Sequence, residues 1–107
     1  MPPPNPSSPP DGTYTSTITG DLASWSGTFT YDDGDIEYTR TSTSESYSAD
    51  NTSNGNAIVF SIDDGTNTIT FTGSSFSYQG SNAQYSGIVT SHKDPTAGEA
   101  PWSATQT

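Results

Sequence analysis

Large apolar residues recur at every second position along this chain, with hydroxyl residues between them. Tyr14 and Ile18 are set among Thr13, Thr15, Thr17 and Thr19, and Trp25, Gly27, Phe29 and Tyr31 alternate with Ser26, Thr28 and Thr30. Ile58, Phe60 and Ile62 align, as do Ile69 and Phe71 within a Thr66–Thr72 run. In a strand, residues i, i+2 and i+4 share a face, so this period of two predicts strands with one apolar and one hydroxyl face. The pattern places strands at Thr13–Thr19, Trp25–Tyr31, Ile36–Ser48, Ala57–Ile62, Thr66–Thr72, Ser75–Tyr78 and Tyr85–Ser91, with an eighth at Trp102–Thr105. No stretch carries a helical period of useful length.

The joints are turn signals. Asp33-Gly34 and Asp64-Gly65 suit type I′ hairpin turns, in which both central residues need positive φ. Gly73-Ser74 and Gly80-Ser81-Asn82 read as looser turns. Asp50–Asn56 and His92–Pro101 read as polar loops, with Pro95 and Pro101 as breakers. Successive hairpins without long crossovers predict an all-β fold: an antiparallel β-sandwich or small up-and-down barrel of seven or eight strands. Residues 1–10 are a Pro/Ser-rich linker with polyproline character, and residues 11–107 form a single β domain.

Composition sharpens this picture. One Leu, six Ile, two Val and four Phe are a thin aliphatic supply for 107 residues, so two Trp and six Tyr must provide much of any core. Two Lys and Arg against twelve Asp and Glu give a net charge of −10. Phosphate binding needs cationic side chains, so neither nucleic acid nor an anionic membrane is expected as a partner. The acidity favours a soluble monomer. Cysteine is absent, which removes disulfides and thiolate chemistry. No apolar run reaches the length of a membrane span. No signal peptide is visible, so a secretory leader is expected to have been removed or to lie outside this segment.

Two sets of residues carry candidate chemistry. The first is acidic: Asp32, Asp33 and Asp35 in one turn, Asp63 and Asp64 in another. Clustered carboxylates are ligands for calcium, the one cofactor this sequence suggests, but Asp-Gly is also ordinary hairpin chemistry and neither turn has EF-hand spacing. Paired carboxylates also serve glycoside hydrolysis. Here they sit in turns of a domain with little room for a cleft, so no enzyme is expected. Ser91, His92 and Asp94 are adjacent in sequence and do not make a triad, which is a matter of geometry.

The second set is aromatic. Trp25, Trp102, Tyr31, Tyr78 and Tyr85 are candidates for stacking on sugar rings, while neighbouring hydroxyls and carboxylates would bond sugar hydroxyls. The competing reading places the same rings in the core. Three smaller signals remain. Lys93 beside acidic residues is similar to the lysine of bacterial surface domains that form isopeptide bonds. Asn51-Thr52-Ser53 is an N-glycosylation sequon. The threonine rows read as a solvated strand face, as O-glycosylation sites, or as an array resembling those of ice-binding proteins, although sheet twist opposes a flat array.

Taken with the linker and the hydroxyl-rich acidic surface, the aromatic surplus resembles a carbohydrate-binding module of a secreted polysaccharide-degrading enzyme. That resemblance implies a non-catalytic extracellular module binding a neutral polysaccharide through exposed aromatics. The alternatives are a structural or adhesive domain of a bacterial surface protein, and a small-ligand barrel with its Trp and Tyr inside the lumen. The indoles of Trp25 and Trp102 discriminate. Exposed rings favour polysaccharide, a ring-lined cavity favours a small ligand, and packed rings favour the structural reading.

Overall fold

The structure, a computed structural model, describes residues 8–53, 55–92 and 98–107. It contains strands β1 (Gly12–Ile18), β2 (Gly27–Asp32), β3 (Asp35–Arg40), β4 (Ser46–Asp50), β5 (Ile58–Asp63), β6 (Thr68–Gln79), β7 (Asn82–His92) and β8 (Gly98–Gln106). They form one antiparallel sheet of order β4-β3-β2-β1-β8-β7-β6-β5. Every neighbour in it is consecutive in sequence except β1 and β8, which pair through Tyr14–Ile18 and Trp102–Gln106. The sheet therefore curls into a nearly closed, barrel-like meander, with β4 and β5 as its edges.

The period of two holds. Buried and exposed residues alternate without exception along β2, and along β1 from Thr13 to Ile18. Inward residues from every strand meet in one core, and Ile58, Phe60, Ile69, Phe71, Tyr14, Tyr38, Tyr85 and Phe29 are among its fully buried members. The Asp33-Gly34 turn has φ of 49° and 97° at its two central residues, as type I′ requires.

Five local expectations are corrected. The Ile36–Ser48 strand is two strands. The chain turns at residues 41–45, where Arg40 N–H donates to Glu45 O at 2.9 Å and Ser44 takes φ of 60°. Trp25 does not open a strand but ends a short 3₁₀ helix, Gly20–Trp25, and is buried there. Gly73-Ser74 is no turn, because β6 runs through it with a bulge between Gly73 and Ser75. Gly73 is opposite Gly87, which is opposite Trp102, and a Cβ on Gly73 would stand 2.9 Å from Cζ3 of the indole. That glycine gives the ring its slot.

Pro101 is the fourth correction, since it lies within β8 and breaks nothing. Its carbonyl accepts from Thr19 N–H at 3.3 Å, so its nitrogen also points toward β1. The β1–β8 ladder ends at Ile18 and Trp102, so the N–H that proline lacks would have had no strand partner there.

The Asp64-Gly65 joint also departs from type I′, for only Gly65 has positive φ, 92°. Asp63 Oδ1 accepts from Gly65 N–H at 2.7 Å, and Asp64 Oδ1 accepts from Thr66 and Asn67 N–H at 2.8 and 2.7 Å. The aspartate side chains wrap the turn in addition to the backbone bond from Asp64 N–H to Asn67 O at 3.1 Å. At the other end of the barrel, Pro9 is buried and Pro10 O accepts from Tyr14 Oη at 2.6 Å. The remainder of the expected linker, residues 1–7, lies outside the described residues, as do Lys93 and the side chain of His92.

Candidate functional site

The lumen is where the aromatic residues converge. Register places Tyr14, Phe29 and Tyr38 side by side on β1, β2 and β3. Their rings stack at 5.0 Å and 6°, then at 6.0 Å and 13°. Opposite them Phe60 and Phe71 stack at 4.7 Å and 11° across β5 and β6. The Trp102 indole meets both edge-on, at 6.2 and 5.4 Å. These separations and tilts are the favourable ones for aromatic pairs.

A polar thread crosses this apolar interior. Trp102 Nε1–H donates to Ser16 Oγ at 2.7 Å, Ser16 Oγ and Tyr38 Oη are 2.8 Å apart, and Tyr38 Oη is 2.6 Å from Trp25 O. An indole only donates and a carbonyl only accepts. The proton order therefore follows: Trp102 to Ser16, Ser16 to Tyr38, Tyr38 to Trp25. Each hydroxyl both gives and receives, so all four buried groups are satisfied. Burial pushes the Tyr38 phenol up to about 12, opposed by its Ser16 contact and by Arg40. The Tyr14 and Tyr85 phenols are also raised, chiefly by burial and then by neighbouring tyrosines and, for Tyr14, Asp11.

This packing sets where the candidate ligand-binding rings lie. Trp25, Trp102, Tyr31 and Tyr85 are 5 %, 2 %, 6 % and 0 % exposed, so none offers a ring face to solvent. Trp25 is roofed by Arg40, whose Cζ stands 3.7 Å from the ring centroid while its Nε and Nη2 donate to Ser24 O. Of the five candidates only Tyr78 is half-buried; it meets Phe76 edge-on at 5.0 Å near the tip of the β6–β7 hairpin. The surplus counted from the sequence was the lumen filling of a barrel whose aliphatic supply is thin. Tyr85 Oη and Tyr47 Oη are buried without a hydrogen-bond partner.

The acidic candidates divide between the two ends. Asp32, Asp33 and Asp35 lie at the β2–β3 turn, beside Gly12 and Asp11, where Asp11 Oδ1 accepts from Asp33 N–H at 3.0 Å. Asp63 and Asp64 lie at the β5–β6 turn at the opposite end. Backbone N–H groups of Asn67 and Thr66 hold the Asp64 carboxyl below the usual carboxylate range. Among the described residues, no three His, Cys, Asp or Glu side chains converge to hold a metal ion.

The surface concavities are open. One, about 480 Å³, is lined by Thr30, Ile36, Ser48 and Ala49 with the carboxylates of Asp32, Asp35, Glu37 and Asp50. A second, about 360 Å³, lies between Pro9, Pro10, Asp11, Tyr31 and Asp33. Sequence reasoning missed both, because each joins residues far apart in the chain. The threonine rows do align across strands: Ser46, Thr39, Thr28, Thr15 and Thr105 stand opposite one another on β4, β3, β2, β1 and β8. That line follows the curve of the barrel, so it does not form the flat array the ice-binding resemblance requires.

Comparison with protein-family models, curated protein sequences and solved structures returned no match.

Proposed function

We propose that this chain is a non-catalytic structural module of an extracellular protein, the barrel serving as a rigid body. The observation that carries this reading is the packing of Trp25 and Trp102, both buried among the rings that fill the lumen. A ligand barrel needs that lumen, and a polysaccharide platform needs those rings outside. The exterior supports the same reading, being built of threonine, serine and carboxylates rather than the apolar band of a membrane barrel. The candidate carboxylates sit in turns at opposite ends, not across a cleft, which favours a role without catalysis.

Binding of a neutral polysaccharide is the second reading. It is favoured by the concavity at Pro9, Pro10, Asp11, Tyr31 and Asp33, which brings a tyrosine beside two aspartates. Retention of the protein on cellulose, xylan, mannan and chitin, followed by a broad glycan array, decides between them. The structural reading expects no retention at micromolar protein. Retention that Asp11→Ala or Asp33→Ala abolishes, with the melting temperature preserved, would install the second reading.

A further inference from the structure

The barrel is open along one line only. β4 and β5 follow each other in sequence, yet they are the two edges of the sheet. Pairing between them starts and stops at the lower end. Thr52 N–H donates to Val59 O at 2.8 Å, and Asn51 Oδ1 accepts from Val59 N–H at 2.9 Å. Above this latch the backbone orientation can be read from alternation. Arg40 N–H donates to Glu45 O and Asn51 N–H to Gly34 O, so Glu45, Tyr47, Ala49 and Asn51 turn their main-chain groups toward β3. Ser46, Ser48 and Asp50 therefore turn theirs to the seam. On the other side Val59 faces the seam, so Ser61 and Asp63 do as well.

Three further observations describe what this seam accepts. Its inward residues on β4, Tyr47 and Ala49, are only half-buried against the core, and Tyr47 Oη has no hydrogen-bond partner. Its outward rim is acidic: Asp50 on β4 with Glu37 and Asp35 on β3 line one side, and Asp63 ends β5 on the other side, toward the opposite end of the barrel. Arg40, the sole described cation, is held on Trp25 and Ser24; its charge is felt by Asp64, and the carboxylates of β3 and β4 outnumber it.

We propose that the β4 edge is a strand-addition site for an extended cationic peptide of a partner protein. Its main chain would pair with the seam-facing N–H and C=O groups of Ser46 and Ser48. Alternate side chains would be lysine or arginine on the outer face, meeting Glu37, Asp50 and Asp63. The intervening ones would be apolar, covering Tyr47 and Ala49. Main-chain pairing supplies the affinity and the alternation supplies the choice of partner. A second copy of this chain is the wrong occupant, since it brings the same carboxylates to the same rim. The inference goes beyond the structural reading and does not depend on it.

The test uses a synthetic peptide of alternating lysine and valine, titrated into the isotope-labelled protein and followed by amide shifts. Saturable shifts at Ser46, Ser48 and Ser61 are expected, with no binding of the matched glutamate–valine peptide. Ser48→Pro removes one seam-facing N–H and leaves the β3 ladder intact, so it should weaken binding about tenfold or more at an unchanged melting temperature. Methylating alternate backbone nitrogens of the peptide should abolish binding, and this arm is independent of how any variant folds. Equal binding of the methylated peptide would overturn the proposal, leaving attraction to acidic surface alone. So would binding of the glutamate peptide, or concentration-dependent dimers of the free protein sealed at the same edge.

Discussion

The two junctions that bring this sheet round on itself behave in opposite ways. β1 and β8 are the most distant strands in sequence and form a ladder from Tyr14↔Gln106 to Ile18↔Trp102. β4 and β5 are separated by seven residues and form none. The difference lies in what each junction buries. At β1–β8, Ile18 packs inward beside Trp102, and Ser16 receives the indole N–H at 2.7 Å. At β4–β5, β4 offers only Tyr47 and Ala49, and an asparagine side chain substitutes for strand pairing. Asn51 Nδ2 donates to Ala57 O at 3.1 Å while its Oδ1 accepts from Val59 N–H and Ser53 N–H. Closeness in the chain lowers the cost of closing a loop only slowly with length, so the larger buried contact wins.

The most damaging way to break the closed junction is Trp102→Ala. It removes the ring seated over Gly73 and Gly87 and the donor at the head of the Ser16–Tyr38–Trp25 thread. A loss of ~3–5 kcal/mol is expected, as for other buried Trp or Phe truncations, measured by urea unfolding. A loss below ~1 kcal/mol would falsify the assignment of this indole to the core.

Alkali tests how well the closed side is sealed. The Tyr38 phenol is raised to about 12 in the folded protein. In the unfolded chain it titrates near ~10, so between these values the unfolded state has lost a proton that the folded state keeps. The contribution is thus fully present below pH ~10 and falls as pH rises toward ~12, by about 3 kcal/mol for this one group. Tyr14 and Tyr85 shift in the same direction. Phenolate absorbance and loss of the folded signal should rise together. Phenols that ionise while the barrel stays folded would show that the lumen admits water.

The seam should yield to smaller changes. Asn51→Ala is expected to cost about 1–2 kcal/mol, less than any lumen truncation, since its hydrogen bonds are partly exposed. Hydrogen exchange should find the β4 amides faster than those of β1 and β8, and faster still in the variant. Slower exchange in β4 than in β8 would reverse the comparison. The smallest effect is expected from calcium. Asp63 and Asp64 already bond their own turn, and the other aspartates lie at the far end. Millimolar calcium should therefore leave the melting temperature where chelator leaves it. A clear rise would show a site binding the folded state.

Much of the architecture was legible because burial in a strand repeats every two residues. Phe29, Tyr31, Phe60, Ile62, Ile69 and Phe71 were readable as inward from spacing alone, and so was the Asp33-Gly34 hairpin. The misreadings share one origin, which is that glycine and proline have two meanings. Gly73 signals a turn by composition but clears a slot for an indole 29 residues later in the chain. Pro101 signals a break, but its missing donor points past the end of β1.

What the sequence determined by itself is the alternation, because side-chain direction in a strand is a local property of the backbone. It decided that this chain builds hydroxyl-faced strands with aromatic inner faces. Whether those aromatics stack on a ligand or on each other was decided only by tertiary structure. That choice depends on the closure of β8 onto β1 and on the indole of Trp102 reaching Phe60 and Phe71, contacts between residues tens of positions apart. The open edge at β4 is of the same kind. It exists because the packing that seals seven pairings in the sheet leaves the eighth without enough apolar surface to bury.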